Sequence, residues 1–156
     1  MKPRLRPATA ADAPRVADIL IGTRSAFMPY APSAHPEHDV RDWVASNLIP
    51  GGGVVVAEFE AGIVGTMAIS ITDGQAWITQ MAVEPELVGS GIGSVLLAFA
   101  LSTLPLPIRL YTFQQNLGAR RFYERHGFVA IQFTDGRGNE EHCPDVLYEL
   151  PRRTEA

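Results

Sequence analysis

Three glycines, Gly89, Gly91 and Gly93, lie within five positions at the start of an apolar run, in the stretch VGSGIGSVLLAFA at 88–100. Glycine costs a helix roughly 0.5 to 1 kcal/mol relative to alanine, so such a cluster at a helix start indicates that the site uses the backbone itself. Main-chain N–H groups that converge at a helix N-terminus bind anions. The stretch predicts either an anion-binding loop or a turn in which glycine only permits tight packing.

Two other glycine-rich phosphate loops fit the sequence poorly. A Walker A loop requires a lysine after its last glycine, and Lys2 is the only lysine of the chain, so this motif is excluded. A dinucleotide fingerprint would place its third glycine at Ser94, where the chain has none. The segment before the loop also has a hairpin pattern that ends at Pro85, which is not the first strand of a βαβ unit.

A second constellation follows the glycine stretch. Asn116 stands seven residues before Tyr123, which places both on nearly the same face of a helix. Asn is a preferred N-cap residue, and capping does not prevent the same side chain from contacting a ligand. Tyr123 is equally compatible with a half-buried aromatic residue that only packs.

The elements that must position these residues are predicted from periodicity. A capping-box-like start at Thr9–Asp12 opens a first helix that we expect to end at Gly22, and a proline-rich loop at 27–38 precedes a second helix over 40–48. After Gly53 the pattern changes to β-branched and aromatic residues in short runs. The predicted elements that follow are strands at 54–59, 63–71 and 75–83 joined by hairpin turns at 60–62 and 72–74, helices at 92–104 and 117–127, and strands at 108–113, 128–134 and 144–150, before a frayed tail at 152–156.

Two segments together point to a family. TQMAVEPELVGSGIGSVLL and NLGARRFYERHGF resemble, in the same order, the two cofactor-binding signatures of the GNAT superfamily of acyl-CoA-dependent N-acetyltransferases, and the resemblance extends from about Leu5 to Leu150. The chain departs from the signature at Val88, where glutamine or arginine is usual, and at Ser90, where a basic residue is frequent. Backbone N–H groups are expected to compensate, since each hydrogen bond to a charged group contributes about 1.5 to 3 kcal/mol.

The resemblance implies a fold, a co-substrate and a reaction. The fold is α/β: a central mixed, mainly antiparallel sheet with helices on both faces, and parallel pairing between the strand before the glycine loop and the strand after its helix. The implied co-substrate is acetyl-CoA, and the implied reaction is direct attack of a primary amine on the thioester without a covalent enzyme intermediate. The residues implied to bind acetyl-CoA are Met81, Ala82, Val83, Val88, Gly89, Ser90, Gly91, Ile92, Gly93, Ser94 and Asn116.

The same resemblance assigns Tyr123 as the catalytic acid. A phenol can protonate the thiolate that leaves when the C–S bond breaks. Either Arg120 or Arg121 could contact the adenosine 3′-phosphate, although a solvated helix face explains both. A non-catalytic acyl-CoA-binding sensor is the alternative function, consistent with Val88.

The general base stays unassigned. The strand position where the family sometimes carries a glutamate is Trp77, while Glu84, Glu140, Glu141 and His142 are explained equally well as solvated turn residues. Cys143 is a weak alternative nucleophile, because no paired histidine is evident. Tyr30, His35 and His38 could shape the acceptor pocket from the early loop.

The composition of the chain limits which partners and locations we expect. A chain of 156 residues with 46% hydrophobic and 19% charged residues predicts one domain over 1–156, ordered from about 5 to 150. The net charge of -4 argues against nucleic acids and anionic membranes as partners, and no metal-ligand spacing is evident. Without a leader-like segment or a membrane span, we expect a cytoplasmic protein that acts on a small-molecule or peptide amine, with a homodimer left open.

Overall fold

The structure, a computed structural model, describes residues 2–31, 33–60 and 62–152. Within these ranges seven strands form one sheet in the order β1-β2-β3-β4-β5-β7-β6, and the pairings are antiparallel except between β4 and β5. The strands are β1 Arg4–Pro7, β2 Val54–Phe59, β3 Gly62–Thr72, β4 Gln75–Val83, β5 Ile108–Phe113, β6 Val129–Phe133 and β7 Asp145–Leu150. The predicted mixed sheet and its one parallel pairing are confirmed.

Helices cover both faces of the sheet, as predicted. The helices are α1 Ala13–Phe27, α2 Glu37–Trp43, α3 Ile92–Thr103 and α4 Leu117–Arg125. On one face α3 packs through Leu96 and Leu97 in the larger buried cluster, which also includes Tyr123 of α4. On the other face α1 packs through Val16 and Ile19 in a smaller cluster.

The start of the chain differs from the prediction at three places. Strand β1 was not predicted. It pairs with β2, and this pairing stabilises a strand of four residues that would not be stable on its own. Helix α1 does not end at Gly22 but continues to Phe27. The cost of an internal glycine is offset because the added turn makes tertiary contacts, including a hydrogen bond from Thr23 Oγ1 to the Val83 carbonyl at 3.3 Å.

The second helix also begins earlier than expected. Helix α2 starts at Glu37 after Pro36 and continues directly into a π-helical turn at Val44–Leu48, where the predicted helix also ends. The hairpin turn at 72–74 is confirmed by positive φ angles at Asp73 and Gly74. In the turn at 60–62, Ala61 lies outside the described residues, as do the last four residues of the predicted tail.

The second half of the chain follows the predicted pattern closely. Gly127 follows the C-cap residue His126 of α4 and has a φ of +94°, which is the conformation that ends a helix at a glycine. The next N–H, that of Phe128, donates to the Tyr123 carbonyl at 3.1 Å. Phe128 itself is buried in the core, while Phe122 is partly buried against it.

Candidate active site

Strands β4 and β5 separate soon after they meet. Their parallel pairing is limited to Ala76 with Ile108 and Trp77 with Arg109. Immediately afterwards the pairing of β4 with β3 shifts by one residue, since Ile69 pairs with Ile78 but Ala68 pairs with Gln80. Thr79 is thus the extra residue of a β-bulge, a feature that bends a strand and increases its local twist. The bulge is where β4 turns away from β5.

The gap between the two strands opens a cavity of about 900 Å³. Its lining includes residues of α3 and α4, on one face of the sheet, and the C-terminal end of α1, on the other. The cavity therefore passes through the sheet. Two ligands that entered from opposite faces would meet at the gap.

The glycine loop lies on the α3 side of this cavity. Gly89 and Gly91 have φ angles of +90° and +94°, a region that other residues rarely adopt. A Cβ atom at either position would meet no protein atom within 4 Å, so backbone conformation, not crowding, requires glycine there. The first intrahelical bond of α3 runs from the Val95 N–H to the Gly91 carbonyl, which leaves the N–H groups of the first turn without an intrahelical partner.

Gly93 has a different reason to be glycine. Its φ is not positive, and a Cβ atom there would lie 3.3 Å from Cζ of Phe122. Gly93 thus permits α3 to pack closely against α4, which agrees, at this one residue, with the packing interpretation of the glycine stretch. It still lines the cavity, together with Val88, Gly89, Gly91 and Ser94.

Two residues of the predicted loop do not line the cavity. The Ser90 N–H and hydroxyl both donate to the Leu87 carbonyl, so this side chain closes the loop internally. Ile92 is 1% exposed and belongs to the core cluster under the sheet. From either residue, only backbone groups could contribute to a ligand site.

On the β4 side, the predicted segment forms one wall of the cavity. Met81, Ala82 and Val83 all line it, and this edge of β4 has lost β5 as its neighbour. Strand residues whose backbone lacks a partner can hydrogen-bond an extended ligand, as a further strand would. The sequence identified these residues through the family resemblance, but the bulge that frees their edge was not predicted.

Asn116 is the N-cap of α4, as one of its two interpretations predicted. Its Oδ1 accepts a hydrogen bond from the Ala119 N–H at 3.3 Å. Asn116 also lines the cavity, so the cap and a ligand contact through Nδ2 are geometrically compatible. The predicted shared face is confirmed, because Tyr123 lines the same cavity from the other end of the helix.

Tyr123 is the buried phenol of the site. It is 8% exposed, packs edge-on against Phe122 and Phe128, and its hydroxyl donates to Sδ of Met81 at 3.4 Å. Burial raises the pKa of Tyr123 above its usual value, so the hydroxyl stays protonated at working pH. The group can therefore donate a proton or a hydrogen bond but cannot serve as the base.

Of the two predicted arginines of α4, Arg121 agrees with the solvated-face interpretation and Arg120 does not. Arg120 donates to the Tyr148 hydroxyl at 3.0 Å and to the Gln114 carbonyl at 3.2 Å, so it joins α4 to the sheet. Arg121 is exposed and does not line the cavity. Arg125, which sequence reasoning missed, does line it, and its guanidinium lies 6.0 Å from the Phe122 ring centroid.

The opposite end of the cavity was largely missed from the sequence. There Arg24 of α1 forms an ion pair of 3.0 Å with Glu141, which stands in the loop between β6 and β7. Both residues line the cavity, and no local pattern could have joined positions so far apart in the chain. Further residues that line this end are Thr23, Phe27, Met28, Tyr111, Phe113, Thr134, Gly138, Asn139 and Asp145.

The candidate general bases differ in whether they line the cavity. Glu84 is held by Arg15 at 2.5 Å outside the cavity lining, Glu140 is exposed beside His35, and His142 is exposed. The carboxylates that line the cavity among the described residues are Glu141 and Asp145. Both Asp145 oxygens accept hydrogen bonds, from Thr134 and Asn139, whereas Glu141 is bonded through Oε1 to Arg24.

Several other predicted candidates lie outside the cavity lining. Tyr30 packs edge-on against Phe113 behind the wall, while His38 pairs with Asp39 at the surface. Cys143 is buried, and burial together with nearby Glu141 raises the pKa of its thiol.

Within the described ranges, we find no group of three or more His, Cys, Asp or Glu residues placed to hold a metal ion. No described helix is both long and apolar enough to span a membrane.

Comparison with known proteins agrees with this geometry. The family model described as acetyltransferase (GNAT) family matches residues 20–128. Curated protein sequences give no match. Solved structures with the same fold include apo YjaB from Escherichia coli, with a TM-score of 0.78, 23% identity and coverage of 96% of this chain and 98% of that one.

Two similar structures contain coenzyme A or a derivative of it. PaiA N-acetyltransferase from Thermoplasma acidophilum, in complex with coenzyme A, has a TM-score of 0.74 at 20% identity, over 97% of this chain and 100% of that one. Naa50 from Arabidopsis thaliana, in complex with the bisubstrate analogue CoA-Ac-MVNAL, has a TM-score of 0.70 at 18% identity, over 96% and 98%. At identities this low, the structural similarity establishes a shared fold alone.

Proposed function

Because the chain belongs to the GNAT family of acetyltransferases, we propose that it transfers an acetyl group from acetyl-CoA to a primary amine by direct attack. The observation that carries this proposal is the cavity through the sheet at the β4–β5 gap. The cavity is lined by the glycine loop and Tyr123 on one side. On the other side it is lined by the Arg24–Glu141 ion pair and by aromatic side chains. Such an arrangement suits two substrates that react while both are bound.

The α3 side suits acetyl-CoA. The N–H groups of the first turn of α3 and the positive end of its dipole would bind the pyrophosphate, so Val88 need not supply a charged side chain. The open edge of β4 at Met81–Val83 would hydrogen-bond the pantetheine amides, and Asn116 could add a contact from α4. Arg125 is placed to neutralise phosphate charge at the same side.

The reaction would take place at the gap. The amine, having lost its ammonium proton to water, forms a bond from nitrogen to the thioester carbon, and collapse of the tetrahedral intermediate breaks the C–S bond. Tyr123 donates the proton that the departing sulfur needs, a role that its neutral, buried hydroxyl supports. The second proton of the attacking nitrogen also leaves to water, which reprotonates Tyr123 after the transfer. A backbone N–H of β4 could stabilise the oxyanion, since preformed donors at such a position are strongly stabilising.

Two measurements test the proposal. Calorimetric titration with acetyl-CoA should give saturable one-site binding, and amine-dependent release of CoA thiol should follow with at least one member of an amine panel. Binding without turnover across the panel would favour the alternative of an acyl-CoA sensor. Absence of binding at millimolar acetyl-CoA would reject both functions.

A further inference from the structure

The end of the cavity on the α1 side is lined by aromatic and apolar side chains. Phe27 and Tyr111 line it and are 39% and 53% exposed, a large fraction for side chains of this size. Phe113 and Met28 complete the same wall. Exposed apolar surface gathered inside a concave site is typical of a pocket that binds an apolar ligand group.

The aromatic rings of this wall are held in place by neighbours. Tyr111 stacks on Trp77 with a centroid distance of 5.8 Å and an interplanar angle of 9°. Phe113 packs edge-on against Tyr30 at 6.3 Å, and the Arg24 guanidinium lies 5.9 Å from its centroid. A wall whose side chains are already ordered loses little conformational entropy when a flat group binds to it.

The charges at this end favour a cation. Arg24, Glu141 and Asp145 line it, two acids against one base. Arg24 is bonded to Glu141 through Nη2, and its Nη1 is buried and has no hydrogen-bond partner among the described residues. The charge of Arg24 is thus engaged by Glu141, and the second acid leaves this end with a net negative charge, which disfavours a ligand carboxylate. The Glu141 side chain is 18% exposed and keeps Oε2 outside the Arg24 hydrogen bond. An ammonium group beside Glu141 and the aromatic faces would be stabilised by both.

We propose that the acceptor is a small aryl-alkyl primary amine without a carboxylate, its ring against Tyr111 and Phe27 and its ammonium beside Glu141. This inference rests on the proposed acetyl transfer and adds the substrate class to it. The short alkyl chain would carry the nitrogen from Glu141 toward the β4–β5 gap, where the thioester carbon lies. Glu141 positions the ammonium, which gives up one proton to water before the nitrogen attacks.

The first test compares four amines that differ in one feature each. These are 2-phenylethylamine, phenylalanine with an added carboxylate, ethylamine without the ring, and 1,5-diaminopentane with a second ammonium in place of the ring. We expect kcat/KM for 2-phenylethylamine to exceed each of the other values by about tenfold or more, since a buried ring or a misplaced charge contributes at least that factor. A higher value for any of the other three would overturn the inference.

The second test uses variants of the wall with matched controls. Tyr111→Ala should raise KM for 2-phenylethylamine about tenfold while KM for ethylamine and the acetyl-CoA dissociation constant stay unchanged. Phe133→Ala removes an aromatic side chain that is 57% exposed on β6 outside the cavity, and it should leave all three values unchanged. Equal effects of Tyr111→Ala on the two amines would contradict binding of the ring at this wall.

The ammonium site has its own pair of variants. Glu141→Gln should raise KM for 2-phenylethylamine about tenfold, whereas Glu140→Gln, at the exposed neighbouring acid, should not. Failure of this inference is distinguishable from failure of acetyl transfer. If acetyl-CoA binds and another amine class is acetylated best, only the acceptor class is wrong; if no acetyl-CoA binds, the function is wrong as well.

Discussion

The Tyr123 hydroxyl of α4 donates to Sδ of Met81 on β4 at 3.4 Å, at the wall of the β4–β5 gap. This contact fixes the phenol beside the strand edge that has lost its neighbour. A thioether is a weak acceptor, so a stronger acceptor that enters the gap can replace it at little cost. The departing thiolate of CoA would be such an acceptor.

Tyr123→Phe should lower turnover by about 100-fold while the acetyl-CoA dissociation constant changes little, because only the proton donor is removed. The matched control is Tyr148→Phe. Tyr148 is also buried, but its hydroxyl bonds Arg120 and Glu124 outside the cavity lining. Steady-state kinetics measure the turnover of both variants, and calorimetry measures their acetyl-CoA dissociation constants. Equal losses of turnover in the two variants would show that Tyr123 is not the catalytic acid.

Gly91→Asp should abolish detectable acetyl-CoA binding, because it places a carboxylate at a loop that we propose binds pyrophosphate. The φ of +94° at Gly91 also makes any side chain there costly, by about 1 to 2 kcal/mol of folding stability. Gly74→Asp introduces the same change at a φ of +79° in a hairpin turn, also with open space around the Cβ position. Thermal unfolding should show similar destabilisation of the two variants, with binding retained only in Gly74→Asp.

Cys143→Ala should leave turnover close to the wild-type value. The thiol is buried, does not line the cavity, and has a pKa raised by burial and by nearby Glu141, so it is a poor nucleophile. Direct attack by the amine also requires no covalent enzyme intermediate. Direct transfer would be contradicted if a folded Cys143→Ala variant turned over about 100-fold more slowly, or if mass spectra of the wild type showed an acetylated cysteine.

The acid stability of the protein should depend on Asp12. Its carboxylate accepts hydrogen bonds from Arg6 at 2.7 and 3.0 Å and from the Thr9 N–H at 2.7 Å. These bonds to Arg6 and Thr9 lower the pKa of Asp12 from 3.8 to about 2. A folded-state pKa below the unfolded value stabilises the protein above the unfolded pKa, and this contribution is lost as the pH falls from about 4 to about 2.

Asp12→Asn should therefore lower the free energy of unfolding by about 2 kcal/mol at pH 7, and the difference from wild type should shrink as the pH approaches 3. Urea titrations at several pH values measure this dependence. Glu86→Gln, at an exposed acid, serves as the control and should show no such dependence. A difference between Asp12→Asn and wild type that stayed constant down to pH 3 would contradict the ion-pair origin.

Local sequence signals were sufficient for much of the fold. The meander, the turn at Asp73–Gly74, the helix after the glycine loop and the end of α4 at Gly127 follow from side-chain periodicity and from conformations that glycine adopts readily. Asn116 as a cap is local in the same sense. Such features depend on residues within a few positions of one another, so a single sequence contains the information for them.

Other features depended on tertiary contacts. The sequence pattern at Gly22 indicates a helix end, but contacts of Thr23 and Arg24 with distant residues extend α1 by another turn. Residue type and spacing indicated that the site uses the backbone of the glycine stretch. The positive φ angles of Gly89 and Gly91 and the contact of Gly93 with Phe122 came only from the structure.

The acceptor side of the site was the least predictable. By itself, the sequence determined the order of strands and helices after Gly53, the glycine loop and, through the family resemblance, the candidate acid Tyr123. Only the tertiary structure decided that a bulge at Thr79 separates β4 from β5, and that Arg24, Tyr111 and Glu141 meet across the resulting cavity. The physical reason is sequence separation: register shifts and ion pairs between residues more than a hundred positions apart are set by how whole elements pack, and no local pattern encodes them.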